Sequence, residues 1–217
     1  MRGLHVPLKR FSFQMRLLNI LGYRGVSMSE LQPYLEGKKT GKVVGLTFDD
    51  GYQNNLQVLP VLKHFDFSAT CYLVSQKIGG TNDWDTHKGI DTNPLMNEKE
   101  VKRWIDSGME IGAHTQNHIR LSQVDSETLI KEVTQSKLDL EEQFSQTISH
   151  FCYPYGDTSQ KVIDATEEAG YMTATTVKRG RANAESYRLT LPRIPIVYNT
   201  LPHLFLAKIL SKYEDKK

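Results

Sequence analysis

Three short clusters in this chain carry residue types able to do chemistry: Phe48-Asp49-Asp50-Gly51, Gly112-Ala113-His114-Thr115-Gln116-Asn117-His118 and Cys152-Tyr153-Pro154-Tyr155-Gly156. Adjacent carboxylates at a strand end diverge, because successive side chains alternate in direction. One can therefore reach a metal while the other stays free as a base. Histidines four apart share one side if the backbone between them turns helically. Two histidines and one carboxylate leave coordination positions open for water and substrate, which is the pattern of a catalytic zinc site rather than a structural one. A metal there would lower the pKa of its water toward about 7 and polarise a carbonyl oxygen. Each cluster alone has a blander reading: a turn or cap for Asp-Asp, a solvated helix face for the histidines, a turn for Tyr-Pro-Tyr-Gly.

What joins the clusters is the alternation of elements around them. Val43 to Phe48, Ser68 to Val74, Met109 to Ala113, Ile148 to Tyr153 and Tyr171 to Val177 read as buried strands, with a strand-like stretch at Leu189 to Val197. Helical spacing marks Phe11 to Leu21, Leu56 to Phe65, Asn97 to Ser107, Asp125 to Phe144, Ser159 to Ala169 and Leu201 to Tyr213. Asn97 with Glu100 makes a capping box, and Asp125 or Ser126 caps the longest helix. Strands alternating with helices imply a parallel sheet with right-handed crossovers, and ligands of such sheets sit beyond the carboxyl ends of the strands. All three clusters follow strands, so all three are expected at one rim. Thr81 to Pro94 lacks periodicity and is a candidate substrate-facing loop.

Composition narrows the function classes. The chain has 217 residues, 39% hydrophobic and 24% charged, enough for one sizeable core. Its 27 basic and 25 acidic residues give a formal charge of +2, which argues against an electrostatic grip on nucleic acid. No glycine-rich phosphate loop supports nucleotide binding. No run of about 18 apolar residues predicts a membrane span. Met1 to Leu21 lacks a signal-peptide pattern, so the chain as written is expected in the cytoplasm. Cys71 and Cys152 read as buried free thiols on neighbouring strands, and Lys212 to Lys217 as a solvated tail.

Leu46-Thr47-Phe48-Asp49-Asp50-Gly51, His114-Thr115-x-x-His118 and Tyr153-Pro154-Tyr155-Gly156, in this order, resemble the first three motifs of the polysaccharide deacetylases, the NodB-homology domain of carbohydrate esterase family 4. The likeness continues through Asn55-Leu56, Leu59-Pro60-Val61-Leu62-Lys63 and Ala69-Thr70, from roughly Phe11 to Val197. It implies one α/β catalytic domain over residues 1–217, a distorted (β/α)7-type barrel. It also implies a metal-dependent hydrolase that removes N-acetyl groups from a polysaccharide or oligosaccharide. By position Asp49 is the base, and Asp50, His114 and His118 hold one divalent ion: zinc first, with cobalt, nickel or manganese as alternatives. A backbone N–H near Tyr155 joins the metal in stabilising the oxyanion, and Tyr155, Pro154 and Trp84 line the sugar groove. Phe-x-Tyr-Pro-Tyr-Gly is similar to the exopolysaccharide branch, which favours an N-acetylglucosamine polymer as the partner.

The chain departs from the family pattern at four places. Cys152 stands where many members carry an arginine that pairs with the catalytic Asp; Arg179, Arg181 and Arg193 are the candidate substitutes. The Asp-Trp motif is missing after Gly156. His203, in Leu201-Pro202-His203, is one residue off the spacing of the usual general acid and otherwise reads as a surface residue. A first strand with a Tyr-His pair is either lost or encoded upstream of Met1. Rival readings are an O-acetyl esterase or other C–N hydrolase of the same fold, a sugar-binding descendant, and a non-haem iron oxygenase.

Overall fold

The computed structural model describes residues 5–89 and 91–215. Met1, on which the compartment expectation rests, and the last two lysines of the tail lie outside them. Helix α1 (Leu8–Ile20) leads into β1 (Arg24–Val26), α2 (Met28–Leu35) and β2 (Val43–Gly45). Six parallel strands follow in simple order: β3 (Thr47–Phe48), β4 (Thr70–Leu73), β5 (Glu110–Ala113), β6 (His150–Cys152), β7 (Thr173–Arg179) and β8 (Leu191–Arg193). Between them run α3 (Leu59–His64), α4 (Glu98–Asp106), α5 (Ser126–Ile130), α6 (Ser136–Phe144) and α7 (Gln160–Glu168); α8 (Pro202–Leu210) closes the order. The parallel sheet curls into a half-barrel with helices on its outer face: α/β as the alternation implied, and barrel-like as the family resemblance implied.

The single strand expected at Val43 to Phe48 is broken at Leu46, and the break starts the curl. Leu46 gives its N–H to the Val26 carbonyl at 2.9 Å and accepts the Thr70 N–H at 2.9 Å, so one residue joins the β1–β2 pair to the larger sheet. Strand β1 was not foreseen; three residues are too few for any periodicity to show. Leu189 to Val197 is strand only over β8, an edge strand that accommodates Pro192 at its centre, and Pro195 removes a ladder donor beyond it. The long helix expected from Asp125 is capped by Asp125, but its middle, Lys131–Gln135, is a π-helical turn between α5 and α6. The Asn97–Glu100 capping box forms as expected, and the helix expected from Leu56 begins as a 3₁₀ turn over Gln53–Val58.

Two further expectations are corrected. Cys71 and Cys152 are free and buried, but they lie on β4 and β6 with β5 between them. The tail is not wholly solvated: Glu214 is 1% exposed and ion-paired to Arg179 at 2.5 Å and to Lys208. Its burial follows from that pairing, since a lone carboxylate would stay in water.

At the amino ends of the strands a polar cluster fastens α2 to the sheet. His150 is fully buried; its Nδ1 meets Thr173 Oγ1 at 2.8 Å and its Nε2 meets Ser29 Oγ at 3.0 Å. Glu110 accepts the Ser29 N–H at 3.2 Å and lies 3.5 Å from His150 Nε2, and it also bonds the hydroxyls of Ser29 and Thr70. Burial lowers the His150 pKa from its ordinary 6.5 despite the opposing pull of Glu110. Below that value the unfolded chain binds a proton that the folded chain resists, so stability falls as pH drops. The melting temperature should fall between about pH 7.5 and pH 5.5, with up to about 1.4 kcal/mol lost per unit from this group. His150→Gln should flatten that dependence; an unchanged slope would show that His150 does not govern it.

Candidate metal centre

The carboxyl ends of β3, β5 and β6 deliver the three motifs to one rim. Past β3 the backbone turns sharply: Asp50 has φ 69° and Gly51 φ 76°. The two carboxylates are thereby sent to different partners. Asp49 receives both ends of the Arg193 guanidinium, Nη1 to Oδ1 at 2.7 Å and Nη2 to Oδ2 at 2.8 Å. Asp50 Oδ1 lies 3.3 Å from Nε2 of His114 and 3.3 Å from Nε2 of His118. Donor atoms of Asp50, His114 and His118 all lie within 4.8 Å of one another.

The charges at the two acids are held differently. Burial alone would raise the Asp49 pKa, but the Arg193 charge and its hydrogen bonds outweigh it and the carboxyl is lowered. Burial also opposes ionised Asp50, and hydrogen bonds from both histidines hold it well below the usual carboxylate range. Arg193 also donates through Nη2 to Cys152 Sγ at 3.4 Å. Of the other candidates, Arg179 pairs with Glu214 and Arg181 with Asp215.

The donor set fits a divalent cation. His114 Nδ1 lies 2.6 Å from the Cys152 carbonyl, which can only accept, so Nδ1 carries a proton and Nε2 is the nitrogen turned toward Asp50, where a bound cation would take the place of the Nε2 proton. Two imidazole nitrogens and a carboxylate oxygen then face one point, a ligand set suited to zinc and its neighbours.

The loop bearing the histidines is not helical, contrary to the condition attached to their spacing. Thr115 has φ 66° and His118 φ 58°, and a bend rather than a helical turn brings the rings together, 4.8 Å apart and edge to face. With Asp50 and Tyr155 (φ 60°), they make four of the six non-glycine residues of positive φ among those described. Backbone strain concentrated at one rim accords with a functional site. Tyr155 is presented by a tight turn at Pro154–Gly156, in which Pro154 is buried; a Cβ at Gly156 would lie 2.7 Å from the Val177 nitrogen. Trp84 stacks on His118, with ring centroids 4.3 Å apart. His203 is exposed in the first turn of α8, outside this group.

Several residues of the site escaped the reading of the sequence. Glu132, on the π-helical turn and 5% exposed, accepts the backbone N–H groups of Gln116 and Asn117 at 3.0 and 2.9 Å, and the Asn117 side chain at 2.7 Å. Asp139, two turns on, accepts from Ser75, Gln76, Gln116 and Gln135. Asp85 accepts from the Tyr155 hydroxyl at 3.3 Å, and Arg120 lies over the Tyr155 ring at 4.3 Å. Burial and then the Asp50 charge push the Tyr52 hydroxyl pKa upward. Of these, Tyr52 and Arg120 lie within two residues of a motif and Asp85 follows Trp84, whereas Glu132 and Asp139 lie on the next helix.

Residues 36–174 match the family model described as polysaccharide deacetylase. The chain belongs to that family. It is similar to YxkH of Bacillus subtilis (strain 168), whose name assigns it provisionally to polysaccharide deacetylation: 29% identity over 197 residues, 89% of this chain and 66% of that protein. It is also similar to the poly-beta-1,6-N-acetyl-D-glucosamine N-deacetylase of Staphylococcus aureus (strain N315), 25% identical over 191 residues, 80% of this chain and 62% of that one. The chain thus spans about two thirds of the length of these curated relatives. Among solved structures, the Streptococcus pyogenes deacetylase PplD in complex with acetate superposes with a TM-score of 0.82 at 28% identity, covering 95% of this chain and 88% of that one. IcaB from Ammonifex degensii shares the fold, with a TM-score of 0.77 at 20% identity and coverage of 93% and 89%. The Staphylococcus aureus protein carries the name of the exopolysaccharide branch that the motifs resemble. Among the described residues no helix is long and apolar enough to cross a membrane.

Glu132 is the test of how the histidine loop is held. Glu132→Ala strands two backbone donors and should lower stability by about 2 kcal/mol in urea unfolding. A loss below about 0.5 kcal/mol, the scale of an ordinary surface change, would show that the loop does not depend on it.

Proposed function

We propose that this chain, as one catalytic domain over residues 1–217, is a metal-dependent deacetylase that hydrolyses N-acetyl groups of an N-acetylated polysaccharide or oligosaccharide, with poly-N-acetylglucosamine the leading substrate class. The observation that carries the reading is the division of labour between neighbouring acids: Asp50 faces two imidazoles while Asp49 is tied to a guanidinium. Family membership and the similarity to exopolysaccharide deacetylases support the substrate class.

In this reading Asp50, His114 and His118 hold one divalent ion, zinc by its ligand set. When bound, that ion supplies water activation and polarises the acetamide carbonyl. Asp49 accepts the proton of the attacking water as general base. Arg193 keeps it ionised and aims both its oxygens, a constraint that a bidentate pair imposes better than a single contact. The backbone N–H at Tyr155 donates to the oxyanion as it forms, while Tyr155, Trp84 and the turn at Pro154 bound the sugar site. The proton taken up by Asp49 then passes to the leaving nitrogen as the C–N bond breaks, which gives acetate and the free amine. Fixed charge and fixed donors suit this chemistry because they need no reorganisation when the oxyanion develops.

Acetate release from N-acetylglucosamine oligomers by zinc-loaded protein tests the reading. Asp49→Asn should retain zinc and lose about 10²- to 10⁴-fold in rate, since it removes a base and spares the ligands. Full activity in that variant would remove Asp49 from its role. An inactive wild type that nonetheless cleaves O-acetyl esters would transfer the site to an esterase.

A further inference from the structure

The two imidazoles are oriented by different means. His114 is fixed through its Nδ1 by the Cys152 carbonyl, the common way a protein aims a ring that offers Nε2. His118 has no such bond; its Nδ1 is buried without a hydrogen-bond partner among the described residues. A histidine χ2 torsion is broad, so a ring without a hydrogen bond is not aimed by its own rotamer preference.

What surrounds the His118 ring is aromatic. Trp84 lies on its face, with 4.3 Å between centroids and 18° between planes. Tyr155 meets it edge-on at 4.8 Å and 77°. Trp84 sits in the 3₁₀ turn Asp83–Lys88, and its loop is closed at the root. Thr81 bridges Pro94, Asn82 Oδ1 accepts the Asn93 N–H at 2.5 Å, and Lys77 pairs with Asp83 at 2.9 Å. The next residue, Asp85, takes the hydrogen bond of the Tyr155 hydroxyl, and Arg120 lies over the same Tyr155 ring. One loop therefore supplies the ring on His118 and the carboxylate that anchors the second ring. The indole nitrogen of Trp84 is itself buried without a hydrogen-bond partner among the described residues, so ring contact rather than hydrogen bonding joins the pair.

We propose that Trp84 is a positioning residue for His118: its stacked indole holds the imidazole so that Nε2 faces Asp50, doing by ring contact what the Cys152 carbonyl does for His114. The inference rests on reading Asp50, His114 and His118 as metal ligands. It makes the Thr81-to-Pro94 loop part of the metal centre, and it couples loop order to metal affinity in both directions.

The test is metal binding by the full chain, stripped with chelator and titrated with cobalt(II), followed by its visible absorption and by zinc competition. Trp84→Ala should weaken binding about 10- to 100-fold, the usual effect of losing a group that orients a ligand. Trp84→Phe, which keeps a stackable ring, should retain most of the affinity. Metal-free Trp84→Phe should melt with wild type, and the melting of metal-free Trp84→Ala separates lost affinity from lost folding. Wild-type affinity in Trp84→Ala, or an equal loss in Trp84→Phe and Trp84→Ala, would overturn the role of the stack and leave the proposed activity standing. A wild type that takes up no metal would instead overturn the ligand reading, and this inference with it.

Discussion

The arrangement depends on one ion pair that spans the sheet. Asp49 follows the first of the six strands and Arg193 ends the last, 144 residues apart in sequence. A flat sheet of six strands would hold its edges about 24 Å apart, at roughly 4.8 Å per strand spacing. The guanidinium reaches both carboxylate oxygens only because the sheet curls into a half-barrel. The pair thus reports the curvature, and it also separates the roles of two adjacent acids. With Arg193 on Asp49, the charge of Asp50 is left to the imidazoles. Without it, two neighbouring carboxylates would compete for one cation and raise each other's pKa.

The histidine side of the site depends on acids buried behind it. The Thr115-to-His118 segment adopts backbone that non-glycine residues avoid, and such conformations persist only where the surroundings over-determine them. Glu132 and Asp139 do this from the helix that packs behind β5. The π-helical turn changes the helical register at that point, which sets the face that Glu132 and Asp139 present to the loop. A π turn beside a functional segment is a recurring association. Sequence, helix irregularity and the placement of the two histidines form one physical chain here.

What could be read in the sequence was what is local or periodic. The capping box at Asn97, the cap at Asp125 and the strand ends that deliver Asp49, His114 and Tyr155 all follow from spacing over a few residues. What could not be read depends on curvature or on single residues. Choosing Arg193 over Arg179 and Arg181 requires knowing which strand closes on β3. The break at Leu46 divides a run whose apolar pattern is continuous. Glu214 lies in a stretch that looks solvated, and only the positions of Arg179 and Lys208 bury it. The stack of Trp84 on His118 joins a loop without periodicity to a motif more than thirty residues away, which no local pattern encodes.

The central claim is that Arg193 sets the state of Asp49 without taking part in the metal centre. Arg193→Gln, assayed side by side for zinc content and for acetate release from N-acetylglucosamine oligomers, tests it most directly. The account predicts one zinc per chain in both proteins and a fall in kcat of about 10²-fold or more in the variant, since the base loses its orientation and part of its charge support. Zinc lost in step with activity, or a kcat equal to wild type, would contradict it.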